Sequence, residues 1–114
     1  MEEDERKLMM TAAWIFARHG QPRRARALLE CLAEDAPRVG VVAAALADLQ
    51  LGDGEPDAAL RTVRAASFPG DLKRAEAMLE TRALKALGRG EEARSRWLRF
   101  VKAAQGEKRE WVKG

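Results

Sequence analysis

The chain has 114 residues, of which 46% are hydrophobic and 34% charged, with a formal net charge of +3. That is the balance of one folded domain, and it excludes an intrinsically disordered chain. A single cysteine, Cys31, and a single histidine, His19, exclude an internal disulfide framework and the paired-histidine metal motifs.

Six helices are predicted in chain order, over residues 5–19, 22–35, 39–52, 56–67, 71–87 and 90–104. The chain holds 22 Ala, 13 Leu and 15 Arg, all strong helix formers, while Val, Ile and Thr are few. The first helix opens behind an acidic start, Glu2-Glu3-Asp4-Glu5, and stops at His19-Gly20, where His19 is expected to cap the end. Pro22 belongs to the first turn of the second helix, where a missing N–H costs little. Leu28, Leu29 and Leu32 form its apolar stripe. Gly54 and Pro56 repeat the stop and start between the third and fourth helices. Phe68-Pro69-Gly70 is a break, and Asp71 is expected to N-cap the fifth helix. Trp97, Leu98, Phe100 and Val101 are apolar positions of the last helix, which Gly106 is expected to end or loosen.

The chain repeats itself. Gly20-Gln21-Pro22-Arg23-Arg24-Ala25, Gly54-Glu55-Pro56-Asp57-Ala58-Ala59 and Gly88-Arg89-Gly90-Glu91-Glu92-Ala93 align without slippage. Glycines step 20, 54, 88 and alanines step 25, 59, 93, a period of 34. The large apolar position that follows is Leu29, Val63 and Trp97, and the next is Leu32, Ala66 and Phe100. Pro37 stands in the first repeat alone, with Asp71 and Gln105 at the same place in the later ones. Earlier in each repeat, paired positions hold Ala12-Ala13, Leu46-Ala47 and Glu80-Thr81, so the third repeat departs most.

With this period and these small residues, the sequence resembles the tetratricopeptide repeat family. The resemblance implies an all-α single domain over residues 1–114. Three helical hairpins (about 6–39, 40–73 and 74–107) would stack in a short right-handed superhelix, with a short tail at 108–114. Its concave face would be lined by the first helix of each repeat. The implied groove residues are Met10, Trp14, Ala17 and Arg18, then Val41, Ala44, Asp48 and Leu51, then Met78, Arg82 and Lys85. Met and Trp suit an adaptable apolar groove, and the charged members would set a partner's register. Met10, Trp14 and Met78 could instead pack between hairpins; for Trp14 the small neighbours Ala12, Ala13 and Ala17 favour partner contact. Three repeats leave apolar ends; Phe68 and the Trp97, Phe100 and Trp111 cluster are candidates to cover them, failing which a partner or a second copy must.

Ala13-Trp14, Gly20, Arg24-Ala25, Leu28-Leu29, Leu32 and Pro37, with Leu87-Gly88-Arg89-Gly90-Glu91-Glu92-Ala93-Arg94, also resemble the YscY family of small type III secretion chaperones. The YscG-like needle co-chaperones share the architecture. The resemblance implies a cytoplasmic chaperone without enzymatic activity or cofactor. It would form a heterocomplex with a small secreted protein, YscX-like or a needle subunit, and present it to the export gate. A generic adaptor outside secretion is the alternative.

Other chemistry finds little support. No apolar run approaches the roughly 18 residues a membrane span needs. Residues 82–113 hold ten Lys/Arg against four Glu, but the acids interleave, which argues against nucleic-acid binding. Cys31 is expected to be a packed or half-exposed thiol without a base beside it. Glu30, Glu34 and Asp35 read as a solvated face, and Leu51-Gly52-Asp53-Gly54 lacks the Lys-[Ser/Thr] of a phosphate loop.

Overall fold

The computed structural model describes the backbone of residues 1–113 and the side chains of residues 1–108. The described chain is all-α. Its helices are α1 (Glu3–Arg18), α2 (Pro22–Asp35), α3 (Gly40–Gly52), α4 (Pro56–Ala65), α5 (Lys73–Ala86) and α6 (Gly90–Lys113), with a 3₁₀ turn at Gly70–Leu72. The radius of gyration is 15.4 Å, above the roughly 13 Å of a compact globule of this length, so the fold is elongated.

The 34-residue step reappears in the backbone. Gly20, Gly54 and Gly88 have φ of 73°, 74° and 77°, where only glycine rests without strain. Each is followed by the same hydrogen bond: Gln21 N–H donates to Phe16 O at 2.8 Å, Glu55 N–H to Gln50 O at 2.9 Å and Arg89 N–H to Leu84 O at 2.9 Å. These bonds satisfy carbonyls left open at the helix end and reverse the chain. Pro22 and Pro56 then take the first helical turn, as predicted. His19 is the C-cap residue of α1, its N–H donating to Ile15 O at 3.1 Å.

Sequential helices pack on one another, and α3 also packs on α5. Ala25, Ala59 and Ala93 are fully buried, because a larger side chain there would push neighbouring helices apart. Two core clusters result. One joins Ala13, Ala25, Leu29, Leu32, Val42 and Leu46; the other joins Ala43, Ala47, Ala59, Leu60, Val63, Phe68, Leu79, Ala83, Leu84 and Ala93. Because α3 feeds both, it is apolar on opposite faces and carries a single charge, Asp48.

Several expectations are corrected. Asp71 lies inside the 3₁₀ turn, and Leu72 occupies the N-cap of α5 without a side-chain cap. Gly106 does not end the last helix, which continues to Lys113: a lone glycine costs only about 1 kcal/mol in a helix interior. The tail assigned to 108–114 is therefore helical as far as Lys113. Phe68 covers no end of the fold, being buried in the cluster shared by α3, α4 and α5. Of the two readings of Cys31, packed or half-exposed, the packed one is excluded: the residue is exposed. Trp97 and Phe100 do meet, with ring centroids 5.3 Å apart, while the side chain of Trp111 lies outside the described residues.

The loops before α3 and α5 also touch. Ser67 N–H donates to Arg38 O at 2.9 Å, and Val39 and Ser67 form an isolated parallel bridge. Gly40 is buried beneath this bridge, where a Cβ would stand 2.8 Å from Ser67 O.

Candidate functional surface

The candidate groove residues lie on α1, α3 and α5, and several occupy equivalent places one period apart: Met10, Ala44 and Met78; Trp14, Asp48 and Arg82; Ala17, Leu51 and Lys85. Their environments differ. Trp14, Val41 and Met78 are 59%, 48% and 43% exposed, one large apolar side chain from each repeat. Ala17, Arg18, Asp48, Arg82 and Lys85 are also exposed. Met10, Ala44 and Leu51 are half-buried against the two core clusters, so they serve packing as much as any partner.

Three of the four charged members, Arg18, Asp48 and Arg82, meet neighbours within the chain. Arg82 Nη1 donates to Asp48 Oδ1 at 3.1 Å, linking α5 to α3. The Arg18 guanidinium sits 4.7 Å from the Trp14 ring centroid, a cation–π contact that holds the indole at the surface.

The eleven residues do not line one cavity. Met10 and Val41 share a cleft of about 620 Å³ between α1 and α3, with Arg6, Lys7 and Thr11 at its rim. Lys85 belongs to a different cleft of about 600 Å³ between α5 and α6, beside Thr81, Arg94 and Trp97. A third cleft of about 640 Å³, where α6 overhangs the start of α5, involves none of them; charged side chains of both signs ring Phe100 there. Among the described residues, no three His, Cys, Asp or Glu side chains converge on a point that could hold a metal ion, and no helix is long and apolar enough to cross a membrane.

Two ionic clusters escaped the sequence reading. Arg26 of α2 donates to Glu30 at 2.6 Å, to Asp53 at 2.6 Å and to Glu55 at 2.6 and 2.9 Å, tying the first repeat to the turn of the second. Bonding to Glu55, Glu30 and Asp53 pushes the Arg26 guanidinium further up, and the bond from Arg26 holds Glu55 below the usual carboxylate range. In the second cluster, Glu80 accepts from Arg96 at 2.6 Å and from Arg64 at 3.0 Å. Burial pushes Glu80 up, but hydrogen bonds from Arg96 and Arg64 outweigh it and hold its carboxyl below the usual range. A signal for this second cluster was present: Glu80 stands where the earlier repeats have Ala12 and Leu46, and a charge at a packing position calls for a partner.

Comparison of the chain with protein-family models, with curated proteins and with solved structures finds no match.

Proposed function

We propose that the chain is a tetratricopeptide-type binding module of three stacked hairpins that acts as a cytoplasmic chaperone in type III secretion. It would hold a small secreted component, YscX-like or a needle subunit, and deliver it to the export apparatus. The observation that carries the binding role is the exposure of Trp14, Val41 and Met78, one from each repeat, on the helices expected to line the concave face. Large apolar side chains kept at the surface cost solubility, and anchors of this type supply most of the affinity at protein interfaces. The 34-residue glycine and alanine period supports the repeat reading. The secretion role rests on the YscY-like motifs alone.

The test is co-purification and calorimetric titration with a YscX-like protein and a needle subunit from the same host. We expect a stable complex with one of them, weakened about tenfold or more by Trp14→Ala combined with Met78→Ala, with helicity retained by circular dichroism. Binding to neither client would overturn the secretion role. Normal binding by the double variant would remove the groove.

A further inference from the structure

The fold presents the two halves of its own internal interface, open, at opposite ends. Between α2 and α3, Val42 is buried in a cluster with Leu29 and Leu32. Counting back one period from Val42 leads to Leu8 on α1, which is 71% exposed. Counting forward two periods from Leu29 and Leu32 leads to Trp97 and Phe100 on α6, both only half-buried. Between α4 and α5, Arg64 meets Glu80 at 3.0 Å. One period on from Arg64 is Leu98, 48% exposed, and two periods back from Glu80 is Ala12. Ile15, the equivalent of half-buried Leu49, is 45% exposed. Each open face thus carries apolar side chains at positions that meet across a helix pair inside the chain.

The charges match in the same register. The Arg26 contacts place the start of α2 beside the turn that follows α3, so these helices run antiparallel. The same docking between chains would lay the far end of α6 along the start of α1. Among the described side chains, that part of α6 carries Arg99, Lys102 and Lys108 against one acid, Glu107, and the N-cap and first turn of α1 carry Glu2, Glu3, Asp4 and Glu5 ahead of Arg6 and Lys7, so the two ends keep opposite net charge. At 24 residues, α6 is longer than α2 at 14 or α4 at 10, and in that docking its extra length would extend along this acidic stretch.

We propose that this chain associates head-to-tail with further copies of itself, α6 of one copy packing on α1 of the next as α2 packs on α3. The contact is heterologous, so each copy keeps one free end and the assembly stays open unless its rotation closes a ring. The acidic and basic ends add a salt-sensitive component. The groove residues take no part in this contact, so it stands apart from the chaperone reading.

Sedimentation of the full chain from micromolar to millimolar concentration tests it. We expect the average mass to rise beyond a dimer and to fall with added salt. Leu8→Glu blocks one end and Leu98→Glu the other; both sites are exposed, so unchanged circular dichroism and melting confirm that the variants fold. Each variant alone should associate at least about tenfold more weakly. An equimolar mixture should regain one sound contact and give a dimer of twice the 12.6 kDa chain mass. A monomer throughout the range would overturn the proposal. So would unimpaired association of either variant, or a mixture no heavier than its components, the signature of a symmetric dimer through one face.

Discussion

Asp48 and Arg82 stand one repeat period apart in sequence and meet in space, Arg82 Nη1 lying 3.1 Å from Asp48 Oδ1. Sequence reasoning places both at the same repeat position and assigns both to an incoming partner. The structure spends each charge on the other. The pair is a strut between α3 and α5 on the candidate surface, and a partner that uses either charge must first part them.

Both side chains are more than half exposed, so solvent weakens their attraction. A double-mutant cycle on Asp48→Ala and Arg82→Ala, followed by urea denaturation, should give a coupling below about 1 kcal/mol. A coupling well above that would make the pair a structural element of the core.

Gly40 is a different matter. Its absent Cβ leaves room for Ser67 O and for Phe68, both held by the bridge between the two loops. Gly40→Ala should destabilise the fold by about 1–3 kcal/mol, because the obstructing atoms are backbone and cannot swing aside. Gly52→Ala, where open space surrounds the site, should cost nothing and serves as the control. Equal melting temperatures for the two variants would contradict this packing.

Thr81 Oγ1 is buried without a hydrogen-bond partner. Ala13 and Ala47 hold the equivalent places in the other repeats and are buried without difficulty. Thr81→Ala removes a polar group that gave up water for nothing and improves helix propensity, while it loses a few methyl contacts. The balance should stabilise the chain by about 1 kcal/mol, read as a higher urea midpoint at unchanged m-value. A lower midpoint would mean that the hydroxyl is satisfied in solution.

Glu80 makes stability depend on pH. Both it and Arg96 are 13% exposed, and the two arginines hold its folded-state carboxyl below the ordinary value of 4.5. A lowered folded value means that the contribution is complete above the unfolded value, at neutral pH. It is lost as pH falls from about 4.5 through the lowered folded value. Glu80→Gln should therefore cost about 1–2 kcal/mol at pH 7. Denaturation curves taken from pH 7 downward should show the gap between wild type and variant closing below about pH 4.5. A gap independent of pH would assign the loss to packing.

The sequence by itself determined the existence and order of the six helices and the turns at Gly20, Gly54 and Gly88. Glycine at 20, 54 and 88, proline two residues later in the first two repeats, and alanine at 25, 59 and 93 are local requirements: a positive φ, a spare N–H and a close approach. Such constraints act within a few residues and survive in the letters. Tertiary structure alone decided which side chains are spent on the fold. Phe68 reads like an end cover, yet the bridge between distant loops carries it into the core. Nothing local marks Arg26, Arg64 and Arg96 as paired, yet each finds an acid on another helix or the turn behind one. Gly106 resembles a helix stop, but α6 continues through it. Within the candidate groove, Met10, Ala44 and Leu51 were absorbed into packing, while Trp14, Val41 and Met78 stayed open. A 34-residue step assigns all of these to equivalent helices. Their neighbours across the helix pairs differ from repeat to repeat, and those neighbours set the burial.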